Sequence, residues 1–266
     1  VAITAAYLGC PYEFIDTHTA WAYPIVDDWD DRPTFRFDPQ NLWWQRSARL
    51  LKAAVAENDG YFIGIPDLNG PTEILARVRG TERLALDLYD APHHLKPALA
   101  EINRAWYGYW QAAAEIAHQA GGYFFMMGLW SERPAVDLQS DFSCMMSEAM
   151  YNETFLPFIV EQTEWVDRTI YHLDGPGAIR HLDALLDLPL LDGIQWVPGA
   201  GADPAPAWIP LLQRIQAAGK LVYTYCNKVY AQTMLESLDP EGLLLDVHGC
   251  ESEDEAREIL EQVGAW

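Results

Sequence analysis

The chain has 266 residues, half of them hydrophobic and 21% charged, with a formal net charge of −22. That length accommodates one large α/β domain or two smaller ones, and the apolar fraction supplies a sizeable core. So acidic a chain excludes nucleic acid as a partner, because phosphates need a basic face, and it disfavours a highly anionic free ligand.

Residues 1–40 are aromatic, acidic and broken by prolines. The run "CPYEFIDTHTAWAYPIVDDWDDRPTFRFDP" reads as an extended arm or excursion rather than a βα unit. A helix is predicted from Pro39 to Glu57, with Asp38 as N-cap and proline at its first position. From residue 60 onward strands and helices alternate. The predicted strands are Tyr61–Pro66, Tyr123–Leu129, Thr169–Asp174, Gly193–Val197, Leu221–Tyr225 and Leu243–Val247. Each is short, apolar and bounded by Gly, Pro or Asp, as buried parallel strands are. A second helix is predicted from Ser147 to Val166, and Ser252-Glu253-Asp254-Glu255 is a capping box that opens the last one.

Such alternation implies a parallel sheet, either doubly wound or closed into a barrel. Six strands are too few for an eight-stranded ring, so strands are either unread or absent from this chain. Cys10, Cys144, Cys226 and Cys250 are widely spaced and form no CxxC pair, a pattern that suits a reducing cytoplasm. No apolar run reaches the ~20 residues that span a bilayer, and no basic segment precedes an apolar one as in a signal peptide.

The richest stretch is "TIYHLDGPGAIRHLDALLDLPLLDGIQWVPG". Strand side chains alternate, so His172 and Asp174 share a face while Tyr171 and Leu173 point the other way. Both lie at the carboxyl end of their strand, where parallel α/β folds build their sites. An imidazole and a carboxylate there can ligate a metal, or the carboxylate can orient the histidine for proton transfer. The plainer alternative is a core histidine, with Asp174 capping the glycine turn. In "LLLDVHGCESEDEA", Asp246, His248 and Cys250 share one parity, which makes Cys250 a candidate third ligand unless Gly249 breaks the strand. Asp67 in "IGIPDLNGP" and Asp141 in "SDFSC" are candidate active-site carboxylates, or else loop caps. Trp196 and Tyr225 end strands and are candidates to wall a substrate pocket.

The segments "DFSCMMSEAMYNETFLPFIVEQ", "YHLDGPGAIRHLDALLDLPLLDGIQWVPGAG" and "GLLLDVHGCESEDEAREIL" resemble the uroporphyrinogen decarboxylase superfamily over nearly the whole chain. The resemblance implies one (β/α)8 TIM barrel spanning residues 1–266, with early barrel elements missing ahead of Val1. It also implies one of two chemistries. One branch decarboxylates uroporphyrinogen without a cofactor. The other holds zinc and moves methyl groups between corrinoid proteins and thiols. Matched by motif, His172 takes the zinc-histidine position, Asp174 replaces a cysteine and Cys250 takes the final cysteine. A carboxylate in place of a thiolate hardens the site and opens it to other divalent metals. Uroporphyrinogen carries eight carboxylates, which sits poorly with 17 Lys and Arg in the whole chain. The expectation is therefore a metal-dependent methyltransferase-like enzyme, with a decarboxylase-like lyase or a non-catalytic binding barrel as alternatives.

Overall fold

The computed structural model describes residues 3–17, 19–125 and 128–262. The chain divides into two compact units, Val1–Thr169 and Ile170–Trp266.

The first unit is mainly helical. Helix α1 (Ile3–Tyr7) is followed by a small antiparallel ladder, β1 (Tyr12–Phe14) with β2 (Ala20–Ala22). Helix α2 (Leu42–Ala56) starts later than the proline suggests. Its cap is Asn41, whose side-chain oxygen accepts from the amides of Trp43 and Trp44 at 2.9 and 3.1 Å. Asp38 instead accepts from the amide of Gln40 at 2.8 Å, closing a turn ahead of the helix. Proline opens both α3 (Pro71–Arg79) and α5 (Pro92–Ala117), where its missing N–H has no helical partner to lose. Between them lies α4 (Thr81–Asp90).

Tyr7, Trp44 and Tyr109 bring α1, α2 and α5 together around an aromatic core, with ring centroids 4.9–5.6 Å apart. Each such aromatic pair contributes about 0.5–1.5 kcal/mol beyond the area it buries. The acidic arm is bolted to α3 and α4. Arg79 donates to both carboxylate oxygens of Asp87 at 2.6 and 3.0 Å and to the carbonyls of Val26 and Asp27. The indole N–H of Trp29 donates to the same aspartate at 3.0 Å.

Two strand expectations change. Tyr61–Pro66 is not assembled into a strand, and Tyr61 and Phe62 are exposed. The Tyr123–Leu129 run is the start of a hairpin, β3 (Tyr123–Phe125) antiparallel to β4 (Leu129–Ser131), with residues 126–127 outside the described residues. A further strand, β5 (Ala135–Gln139), went unread because Asp137 interrupts its apolar run. Helix α6 (Glu148–Met150), capped by Ser147, passes through a wide turn at Tyr151–Phe155 into α7 (Leu156–Trp165).

Strand β6 (Arg168–Asp174) begins at the end of the first unit, where the amides of Asp167 and Arg168 donate to the Pro134 carbonyl just before β5. It continues in the second unit as the first of four parallel strands, with β7 (Gly193–Val197), β8 (Leu221–Asn227) and β9 (Leu243–His248). The connecting helices α8 (Leu182–Leu186), α9 (Ile209–Ala217) and α10 (Ala231–Ser237) bury Leu182, Leu185, Leu212, Ile215 and Met234. One sheet face, with Tyr171, Leu173, Ile194, Trp196, Val222 and Cys226, is likewise buried. Helix α11 (Glu253–Gln262) follows β9, with Ser252 accepting from the Glu255 amide at 3.2 Å, as a cap does.

The α/β alternation is therefore present. A closed ring of eight strands is not formed among the described strands, because the first unit uses its chain on helices and short antiparallel ladders. Among the described residues no helix is long and apolar enough to cross a membrane.

Candidate functional site

The second unit carries a polar face on its sheet. Register puts His172 opposite Gln195 and Gln195 opposite Tyr223, so three polar side chains cross three strands in one row. The next row up holds Asp174 on β6, with Tyr225 opposite Asp246 on β8 and β9. Asn227 and His248 pair beyond it. Parity alone fixes this arrangement: the alternate residues of the same strands form the buried apolar face.

Within the row, Gln195 is the organiser. Its side-chain oxygen accepts a hydrogen bond from His172 Nδ1–H at 2.5 Å, so the lone pair of the neutral ring is on Nε2. Its amide also hydrogen-bonds the Tyr223 hydroxyl; burial and then the charge of Asp246 push that phenol up, and the bond from Gln195 acts the other way. Burial and then Asp174 likewise raise Tyr225, keeping its hydroxyl protonated. Gln195 is 7% exposed, whereas His172 and Asp174 are half-buried at the strand end. Gly175, at φ 75°, turns the chain away directly after Asp174, with its amide on the Val197 carbonyl at 2.7 Å.

The β7–β8 ladder stops at Gln195 and Tyr223. Beyond that point lies a cavity of about 180 Å³, whose walls include Trp196, Trp208, Tyr225 and Tyr230. Trp196 and Tyr225 thus both line a cavity at the carboxyl end of the sheet, although Trp196 belongs to the apolar face and is 1% exposed.

Cys250 is placed apart. Gly249, at φ 88°, ends the strand alternation, and Cys250 lines an apolar groove with Leu243, Leu245, Val247, Ile259 and Leu260. Among the described residues it joins no group of converging metal-ligand atoms, so the three-ligand set expected from parity is not assembled. Cys144 is exposed.

The first unit holds a separate carboxyl pair. Glu73 lies in the first turn of α3, and its Oε1 accepts from the Phe142 amide at 3.0 Å and the Thr72 hydroxyl at 2.8 Å. Its Oε2 is sealed from solvent. Burial first, and then the charge of Asp141, push Glu73 up to about 7. Asp141 is therefore half of a carboxyl pair whose partner reading the sequence missed; the one signal was a glutamate three residues after Gly70 and two after Pro71. Asp67 instead serves its own loop. It accepts from the Asn69 amide at 2.8 Å and from Gln139 at 3.3 Å, and so stabilises Asn69 at φ 56°. Gln195 was missed too, although a lone glutamine inside the apolar strand "GIQWV" was a visible irregularity.

No family model matches the chain, and no curated protein matches it. Solved structures do match. The fold is similar to that of a methyltransferase from Methanosarcina mazei. The TM-score is 0.67 at 13% identity, covering 99% of this chain and 77% of that one. At that identity the likeness is one of fold.

Proposed function

We propose that the chain is a metal-dependent methyltransferase-like enzyme of the uroporphyrinogen decarboxylase superfamily. Fold likeness to a methyltransferase over the whole chain supports methyl transfer as the reaction class. The observation that carries the metal reading is His172 fixed by Gln195 on the same strand face as Asp174. An imidazole with its Nδ1 proton engaged and a carboxylate two residues on fit a divalent ion, and the oxygen donor admits iron or manganese beside zinc. Bound there, the ion supplies Lewis acidity toward a thiol acceptor. The chain's own residues do the rest. Gln195 holds the imidazole tautomer, Asp174 contributes negative charge, and the protonated Tyr225 hydroxyl offers a hydrogen bond beside Asp174. The methyl donor is a corrinoid protein or a small methylated molecule.

Elemental analysis of protein from metal-supplemented growth tests this. About one divalent ion per chain is expected, and it is lost in both His172→Ala and Asp174→Ala. Wild-type protein without metal, or metal content unchanged in both variants, defeats the reading.

The Glu73–Asp141 pair favours a second reading, a cofactor-free lyase in which Asp141 stabilises a cationic intermediate and Glu73 exchanges its proton near neutrality. Release of carbon dioxide from a pyrrole-like carboxylic acid, abolished by Asp141→Asn, is its test.

A further inference from the structure

We propose that the cavity beyond Gln195 and Tyr223 is a binding site for a small methylated ammonium cation. The observations lie in the cavity wall. Trp196 and Trp208 meet with ring centroids 4.9 Å apart at 58°, forming a corner rather than a stack. Trp208 is pinned there by its indole N–H, which donates to the Asp203 carbonyl at 3.0 Å. Tyr225 and Tyr230 line the same space beside Trp208, while Trp196, 1% exposed, backs Trp208 from the buried face. Faces of Trp and Tyr rings carry negative potential, and a cation within about 6 Å of a ring centre is attracted to it.

The charged groups point the same way. The lining includes one carboxylate residue, the exposed Asp203, and no lysine or arginine. An anionic ligand would therefore meet Asp203 with no cation from Lys or Arg to balance it. Cys226, also in the wall, is held as a neutral thiol by burial, which pushes it up to about 11. His248 is the one lining group able to turn positive, and it is exposed at the end of its strand. A net charge of −22 adds a field that concentrates cations around the chain.

Size sets the class. An apolar cavity of roughly 150 Å³ takes a ligand as large as benzene, so about 180 Å³ holds an ammonium bearing methyl groups and a short substituent. Methyl groups matter because they remove the N–H donors a primary ammonium would need satisfied, while leaving the charge to the rings. The site does not depend on a metal at His172, and either reading can fail without the other.

Choline is the probe, beside its neutral carbon analogue in which carbon replaces the ammonium nitrogen. Titrations are followed by calorimetry and by tryptophan fluorescence, which reports on Trp196 and Trp208. Choline is expected to saturate one site about tenfold more tightly than the neutral analogue. Trp208→Leu should abolish that binding. Asp203→Asn, at an exposed position that leaves the fold intact, should weaken choline severalfold and leave the neutral analogue unchanged. Equal affinity for the two ligands would reduce the site to an apolar cavity. No saturable choline binding, or choline binding untouched by both substitutions, would overturn the proposal.

Discussion

Gln195 stands directly across the parallel ladder from His172 and holds its Nδ1 at 2.5 Å. A neutral amide in that position fixes which ring nitrogen carries the proton without adding charge beside Asp174. The same amide reaches Tyr223 on the next strand, so one side chain couples three strands of the polar face.

Replacing this amide should weaken metal binding without removing a ligand. For Gln195→Leu we expect divalent-ion affinity to fall about 10- to 100-fold, against complete loss in His172→Ala. Competition with a chelating dye measures both. Unchanged affinity in Gln195→Leu would mean that the hydrogen bond serves packing alone.

Cys250 lies in the apolar groove beside α11 rather than with His172. Cys250→Ser is therefore expected to retain the wild-type metal content. A fall in bound metal in this variant would restore the thiolate to the ligand set.

Glu73 gives a stability signature with a definite sign. Its carboxyl is pushed from an ordinary value of 4.5 to about 7 in the folded chain, so the folded state binds its proton more tightly than the unfolded state. The stabilisation is fully present below the ordinary value and is lost as pH rises toward about 7. Glu73→Gln keeps a neutral side chain throughout. It should gain on wild type, by on the order of 1–3 kcal/mol, as pH rises from 4 to 8. Melting temperatures of the two proteins across that range check it; parallel curves would show that Glu73 ionises normally.

Two aspartates in ion pairs should behave very differently. Asp87 is buried and takes hydrogen bonds from Arg79 and Trp29, so Asp87→Ala leaves a buried guanidinium uncompensated and should cost about 3–5 kcal/mol. Asp183 pairs with Arg214 in solvent, and Asp183→Ala should cost less than about 1 kcal/mol. Urea unfolding followed by circular dichroism separates the two, and similar costs would contradict the burial argument.

Uroporphyrinogen should be neither bound tightly nor decarboxylated. Arg32, Arg79, Arg83, Arg214 and Arg257 are engaged by carboxylates of the chain itself, and Arg46 and Arg77 lie over Trp43 and Trp21. Seven of the thirteen guanidinium groups are thus engaged within the chain rather than offered to an eightfold carboxylate. Detectable decarboxylation would promote the lyase reading over methyl transfer.

The sequence by itself determined the second half of the chain. Its four parallel strands, and the common face of His172 and Asp174, follow from local rules: apolar runs bounded by Gly, Pro and Asp, and a side-chain period of two. Those rules act over a few residues and need no partner. They faltered where pairing depends on distant sequence. Tyr61–Pro66 has strand composition yet forms only a single bridge, at Gly64, and β5 is paired despite Asp137, because a strand exists only where another strand meets its hydrogen bonds. The site shows the same division. Parity placed Cys250 with Asp246, but Gly249 in a left-handed conformation ended the alternation and sent the thiol into an apolar groove. Only tertiary structure set Gln195 against His172, Glu73 against Asp141, and Trp208 against Trp196. Each pairing joins residues 12 to 68 positions apart, by strand register or helix docking, and the spacing of residues along a chain carries no term for either.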